Sequence, residues 1–279
     1  MPLLDHGLAQ VRPPNWPCRL AAALAVLIAV APGLTVAAIP SPADLPDWAG
    51  AWQNAGPPVN TDLFDGGTAD PPGCRALSQP CRSHPPLTPA WEERYRANLA
   101  LSLAGRLPPD STNCMPRGVP ANMRTQDSIE FVVRPEQVWI FIENTHVPRR
   151  IYTDGRPHRS GPDVFPTYNG DSIGRWEGDT LVVETINLKP NAMIDRSGIY
   201  LGSKTKITER IRKVNTNTME DVYSIEDPDA LVRPWVVTRQ YRRVGHGRIF
   251  DYACAENVRN TVAADGSTTT LGPDGKSLD

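Results

Sequence analysis

The chain has 279 residues, long enough for one large domain or two small ones. Its 29 Lys and Arg nearly balance 31 Asp and Glu, and a net charge of −2 removes the usual electrostatic case for nucleic acid or an anionic membrane as partner. Proline is the unusual component, with 29 residues, and its crowding between Ile39 and Ala90 excludes a regular sheet or a run of helices there, because proline lacks the backbone donor.

The first element is an uncharged apolar run, "LAAALAVLIAVA" at 20–31, preceded by Arg12 and Arg19 and followed by the small residues Val36, Ala37 and Ala38. That order is the pattern of a secretory signal occupying 1–38. A retained anchor helix is the alternative, but Pro32 and Gly33 interrupt the run. The mature chain is expected to be exported, periplasmic or secreted, with no membrane span once the signal is removed. Cys18 leaves with the signal, and Cys74, Cys81, Cys114 and Cys254 remain. An even count in an exported chain reads as disulfides. The favoured pairing joins Cys74 to Cys81 and Cys114 to Cys254; two other connectivities stay open. A zinc site fits poorly, since the spacing lacks C-x-x-C and no histidine falls nearby.

A proline-rich region at 39–110 comes next. "PDWAGAWQN" at 46–54 reads as a first strand, whose 48–54 portion is expected to join the later β domain. "LTPAWEERYRANLALSLAG" then reads as a helix. Thr88 can cap it, Pro89 suits its first turn and Gly105 its end. Trp91, Tyr95, Leu99 and Leu103 form one apolar stripe, which is packing surface.

From Ile129 the pattern changes to period two. Strands are expected near 129–134, 137–143, 149–153, 172–177, 180–187, 204–214, 217–226, 234–243 and 249–255, with "EGDT" as a tight hairpin connection and "NTNT" and "GHGR" serving later ones. No helical periodicity interrupts them, so parallel crossovers are not expected. The reading is a mainly β fold: an antiparallel meander over 111–261 closing into a calycin-like barrel, with one N-terminal helix. An open curled sheet or a two-sheet sandwich is the alternative. The segment 262–279 is polar and aperiodic, and is expected to be a flexible tail.

Alternation also assigns faces. Glu209 falls with Ile207 and Ile211, Glu184 with Val182 and Ile186, and Glu143 with Trp139 and Phe141. A carboxylate on an apolar face must be paired, hydrogen-bonded or protonated, and an arginine such as Arg150 is the expected partner. "RRIYTDGRPHR" at 149–159 puts Arg150 and Tyr152 on one strand face and starts a long loop carrying His158, Asp163 and Tyr168. Loops of this length are often functional. The candidate catalytic residues are therefore His158, Glu184 and Glu209. Candidate ligand contacts are Arg150, Tyr152, Tyr168 and Trp176, and Arg150, Tyr152, His158, Glu184 and Glu209 are expected to line or rim one cavity. No metal site and no cofactor is expected.

The run "RRIYTDGRPH", "SIGRWEGDTLVVET", "ITERI", "EDPDAL..PW" and "DYACAEN" resembles a large group of exported bacterial proteins of unassigned function. The resemblance covers roughly residues 110–260. It implies export, the Cys114–Cys254 pairing and a predominantly β domain, and no activity. Where members of the group carry Pro-His-Ser before the "ITER" strand, this chain has Ile199-Tyr200-Leu201-Gly202-Ser203. A weaker resemblance, to lipocalins and other calycins, rests on Gly50-x-Trp52. Two functions follow from these readings. One is a barrel that binds a small organic molecule in an apolar cavity. The other is a cofactor-independent acid–base enzyme, a lyase, isomerase or hydrolase, acting in the same cavity. A purely structural envelope protein is a third, weaker reading.

Overall fold

The computed structural model describes residues 39–55, 84–104, 116–125, 127–145, 147–162, 164–190, 194, 198–200, 202–245, 247–254, 260–262, 268–270 and 276. The apolar run at 20–31, together with Cys74, Cys81, Cys114 and Asp163, lies outside the described residues.

The described residues form a closed barrel of nine strands, with one α-helix among them. The strands are β1 (Ala51–Asn54), β2 (Ile129–Val133), β3 (Gln137–Ile142), β4 (Arg149–Tyr152), β5 (Asp171–Glu177), β6 (Thr180–Ile186), β7 (Lys206–Asn215), β8 (Thr218–Glu226) and β9 (Trp235–Arg243). They neighbour one another in sequence order, and β1 closes the ring by pairing antiparallel with both β2 and β9. Trp52 makes that closure: it is fully buried, its register partners are Ile129 and Arg243, and the Arg243 guanidinium lies 4.7 Å over its ring. The helix α1 (Pro89–Leu103) follows β1 and buries Tyr95 and Leu99 of the expected stripe. At its start the Thr88 carbonyl accepts the Glu92 N–H at 2.8 Å, and the Thr88 hydroxyl donates to the Asp229 carbonyl, 3.1 Å away.

Two expectations require correction. The barrel is mixed rather than wholly antiparallel: β4 and β5 are parallel, with one register pair, Tyr152↔Ile173. Residues 153–170 carry the chain back over the wall and take the place of a helical crossover. Second, 249–254 does not form a strand, because apolar and polar residues do not alternate onto a free sheet edge there; β1 already occupies the edge of β9. In the segment beyond the barrel, β10 (Asn260–Val262) and β11 (Thr268–Thr270) form a separate two-stranded ribbon.

The tight "EGDT" connection joins β5 to β6. Glu177 pairs with Thr180, and Gly178 takes φ +60°, a conformation that suits a residue without Cβ. The inner face follows from alternation along each strand. Phe131, Val138, Ile140, Ile151, Leu181, Val183, Ile207, Ile211, Met219 and Ile225 pack there.

The centre of this interior is charged. Arg149 and Glu209 are both fully buried and form a two-pronged ion pair. Nη1 of Arg149 donates to Glu209 Oε1 at 2.7 Å and Nη2 donates to Oε2. Nη2 also donates to Thr185 Oγ1 at 3.1 Å, and the Thr185 hydroxyl shares a 2.8 Å hydrogen bond with Ser172. Burial alone pulls the Arg149 pKa down, but the charge and hydrogen bonds of Glu209 more than reverse this. Glu209 thus sits on the apolar face that alternation assigns to it, but its partner is Arg149 and not Arg150. On β4 it is Arg149 that shares the inner face with Ile151, while Arg150 points to solvent.

Replacing Arg149 by alanine strands a buried carboxylate, and the fold is expected to lose about 3–5 kcal/mol in urea denaturation. Substituting both partners together, Arg149→Met with Glu209→Leu, is expected to cost much less than the single change, because no buried charge is left unpaired.

Candidate functional site

The loop after β4 brings His158 against the outer wall of β5 and β6. Its Nδ1 lies 3.0 Å from Asp171 Oδ2 and its Nε2 lies 3.2 Å from Glu184 Oε1. Asp171 opens β5, is 5% exposed, and also accepts the backbone N–H of Arg159 at 2.8 Å. Glu184, in contrast, has 42% of its side chain open to solvent and faces Lys206 at 3.9 Å. Lys206 in turn lies 3.7 Å from Glu226. An imidazole held by a buried carboxylate on one nitrogen therefore meets an accessible carboxylate on the other.

Such an arrangement fixes the ring through Asp171, which orients it and favours a proton on Nδ1. Nε2 then faces a partner that exchanges with solvent. The surroundings carry both signs of charge: Lys206 and Arg159 on one hand, Glu184, Glu226 and Asp171 on the other. Among the described residues, no trio of histidine, cysteine or carboxylate is disposed to hold a metal ion.

The remaining expected site residues separate into other places. Arg150 and Tyr152 do share a face, but it is the outer one: Arg150 lies 3.9 Å over the Trp139 ring and donates to the Tyr152 hydroxyl at 3.2 Å. Arg156 covers the other side of Tyr152 at 4.0 Å and pairs with Asp154. This stack is self-contained. Tyr168 receives the Lys189 ammonium at 3.3 Å on its hydroxyl, and its backbone carbonyl accepts the Val119 N–H at 3.0 Å. That carbonyl would lie 2.2 Å from any Cβ at Gly118, which has φ +72°. Trp176 stacks edge-on against Trp48 at 5.2 Å, beside Phe131. Glu209 is inside the barrel. One cavity containing all of these residues is therefore ruled out, because β4 and β6 turn Arg150, Tyr152 and Glu184 outward while β7 turns Glu209 inward.

Sequence reasoning missed Asp171, Lys206, Arg149 and Asp221. Asp171 follows Gly170 in "YNGD", where an aspartate reads as turn chemistry. For Asp221 a signal was present: Met219, Asp221, Tyr223 and Ile225 alternate onto one apolar face of β8, the same pattern that singled out Glu209.

The buried Asp171 is expected to matter more to the fold than the exposed Glu184. Asp171→Ala leaves the Arg159 N–H and His158 without their acceptor and should cost about 1–3 kcal/mol. Glu184→Ala should cost less than about 1 kcal/mol. Equilibrium denaturation of the two variants checks the order.

Comparison with protein-family models and with curated proteins finds no match to this chain.

Proposed function

We propose that the barrel is the scaffold of an acid–base site centred on His158, acting on a small organic molecule at the outer wall of β5–β7. The observation that carries this reading is the imidazole between buried Asp171 and half-exposed Glu184. Asp171 plays the orienting part, and His158 Nε2 is the atom that gives or takes a proton. Glu184 is the group that a substrate displaces or shares a proton with. Lys206, beside Glu184, balances negative charge that develops on the substrate. No cofactor is needed for a proton transfer of this kind, which suits a lyase, isomerase or hydrolase step.

A second reading, a barrel that only binds its small molecule, is favoured by the closed calycin-like architecture. The same His158, Glu184 and Lys206 would then anchor polar atoms of the ligand. Export to the periplasm or outside the cell belongs to this proposal in either form. The order of charges, apolar run and small residues at 1–38 supports it, and so does the even count of four cysteines that remain beyond that segment. Non-reducing peptide mapping is expected to recover Cys254 joined to Cys114; a peptide with Cys114 as a free thiol counts against the pairing.

The functional test screens small hydroxy, keto and carboxylic acids by thermal shift, then follows each binder by NMR in deuterated water. Acid–base chemistry is expected to appear as solvent exchange at carbon or as a new product. His158→Ala and Glu184→Gln should each reduce that rate about 100-fold or more. Arg150→Ala, on the separate outer stack, should leave it unchanged. Binding that depends on His158 with no exchange or product favours the second reading. Exchange that survives His158→Ala overturns the first.

A further inference from the structure

Inside the barrel, Asp221 is a second carboxyl that the Arg149–Glu209 pair does not account for. It is fully buried on the inner face of β8. Among the described residues, neither of its oxygens has a hydrogen-bond partner. The groups facing it come from four strands. Tyr223 shares β8, two positions from it, and is the register partner of Glu209 on β7. Arg239 is its register partner on β9, the strand that also carries Tyr241. Arg149 reaches in from β4. The hydroxyls close on one another: Tyr241 donates to the Met123 carbonyl at 3.0 Å, leaving Tyr223 to donate to Tyr241 at 3.3 Å. The two charged amino groups of Arg149 are committed to Glu209, while its Nε–H has no acceptor among the described residues.

The wall is thinnest where Arg149 enters. The strand β4 is held to β3 by four register pairs, but to β5 by one. Thr153, just past β4, is tied back to the β3 side through the Glu136 and Pro135 carbonyls. Beyond Ile173, β5 meets β4 by close packing instead of hydrogen bonds: a Cβ on Gly174 would stand 2.9 Å from Ile151 Cγ2 and 3.3 Å from Thr153 Cγ2. What spans this seam on the inside is the Arg149 side chain, which fastens β4 to Thr185 on β6 and Glu209 on β7.

We infer that the β4–β5 seam is a pH-sensitive latch, closed by Arg149 on Glu209 while Asp221 holds its proton and loosened when Asp221 loses it. An ionised Asp221 has Tyr223 and Arg239 beside it, but it also repels Glu209 and competes for Arg149, the side chain that bridges the seam among the described residues. Neutral Asp221 makes neither demand.

The direction follows from linkage. Burial first, and then the Glu209 charge, raise the Asp221 pKa well above 3.8, against the opposing pull of Tyr223, Arg149 and Arg239. The folded chain therefore keeps a proton that the unfolded chain gives up. The stability tied to that proton is complete below 3.8 and is lost as pH rises toward the folded value. The seam is tightest in acid and loosest above that value.

Hydrogen exchange on the full mature chain, corrected for intrinsic pH dependence, tests the latch. Protection of the β4 amides is expected to fall about tenfold or more as the pH is raised from acid to alkaline, with the β7–β8 hairpin much less affected. Asp221→Asn, which is neutral at every pH, should flatten that profile and raise the melting temperature at the alkaline end. Asp221→Leu should flatten it too, and serves if the asparagine does not fold. A pH-independent β4 in the wild type overturns the inference. So does a profile that either substitution leaves unchanged. Gly174→Ala supplies an independent arm: it wedges the same seam, and should speed β4 exchange at all pH values while keeping the pH dependence.

Discussion

The Arg149–Glu209 pair is the constraint around which the barrel is arranged. A guanidinium without access to water is tolerable only if its charge and most of its donors are met. Arg149 meets that condition by crossing the interior from β4, past the two intervening strands, to Glu209 on β7, with Thr185 taking a further donor. Three strands are thereby bound to one register. Because side chains alternate with period two, a slip of one residue in β4 would send Arg149 and Ile151 to solvent and bring Arg150 and Tyr152 into the core. A buried ion pair adds little net stability over well-packed apolar residues. Its weight lies in making that alternative arrangement costly, which a core built only of aliphatic residues would penalise less.

The interior pair and the outer histidine site share the same stretch of backbone. On β5, Asp171 faces out to His158 while Ser172 faces in to Thr185. On β6, Glu184 faces out to His158 while Thr185 faces in to Arg149. Ser172 and Thr185 are register partners, and Ile173 pairs with Glu184. The inner hydrogen bonds therefore set the spacing at which the two outer carboxylates are presented. The imidazole spans that spacing, with a nitrogen on each. The centre of this barrel is charged and hydrogen-bonded, while the solvent-accessible Glu184 and Lys206 lie on the wall.

How much of this was legible depended on whether one strand's own pattern was decisive. β7 reads without ambiguity, because Ile207 and Ile211 flank Glu209 and the burial of all three follows. β8 carries the same information for Asp221. β4 has only four residues, two of them arginine, so its inner face turns on Ile151 against Tyr152. The aliphatic residue decides, since tyrosine tolerates a half-exposed surface with its hydroxyl in water. The sequence put His158 on a loop over the end of the barrel, whereas the loop lies along the outer wall, with His158 against Asp171 and Glu184. Asp171 was hidden because an aspartate after glycine suits a turn as well as a strand end. The parallel step was hidden for a related reason: a crossover is recognised by its helix, and this one has none.

That parallel step explains why His158 lies against the sheet. Antiparallel neighbours need only a tight turn, as at Gly178, and such a turn leaves the faces of the sheet bare. Parallel neighbours need a connection that runs the length of the strand outside the sheet, commonly about a dozen residues or more. Between β4 and β5 that connection is 153–170, and it runs along the outer wall, where His158 meets Asp171 and Glu184. It is fastened there by Thr167, whose backbone exchanges hydrogen bonds with Asn187 and Lys189 beyond the end of β6. Held at both ends, the segment lays His158 across Asp171 and Glu184. The His158 cluster is thus a product of topology: where the barrel departs from its meander, a loop residue is pressed against two carboxylates of the sheet.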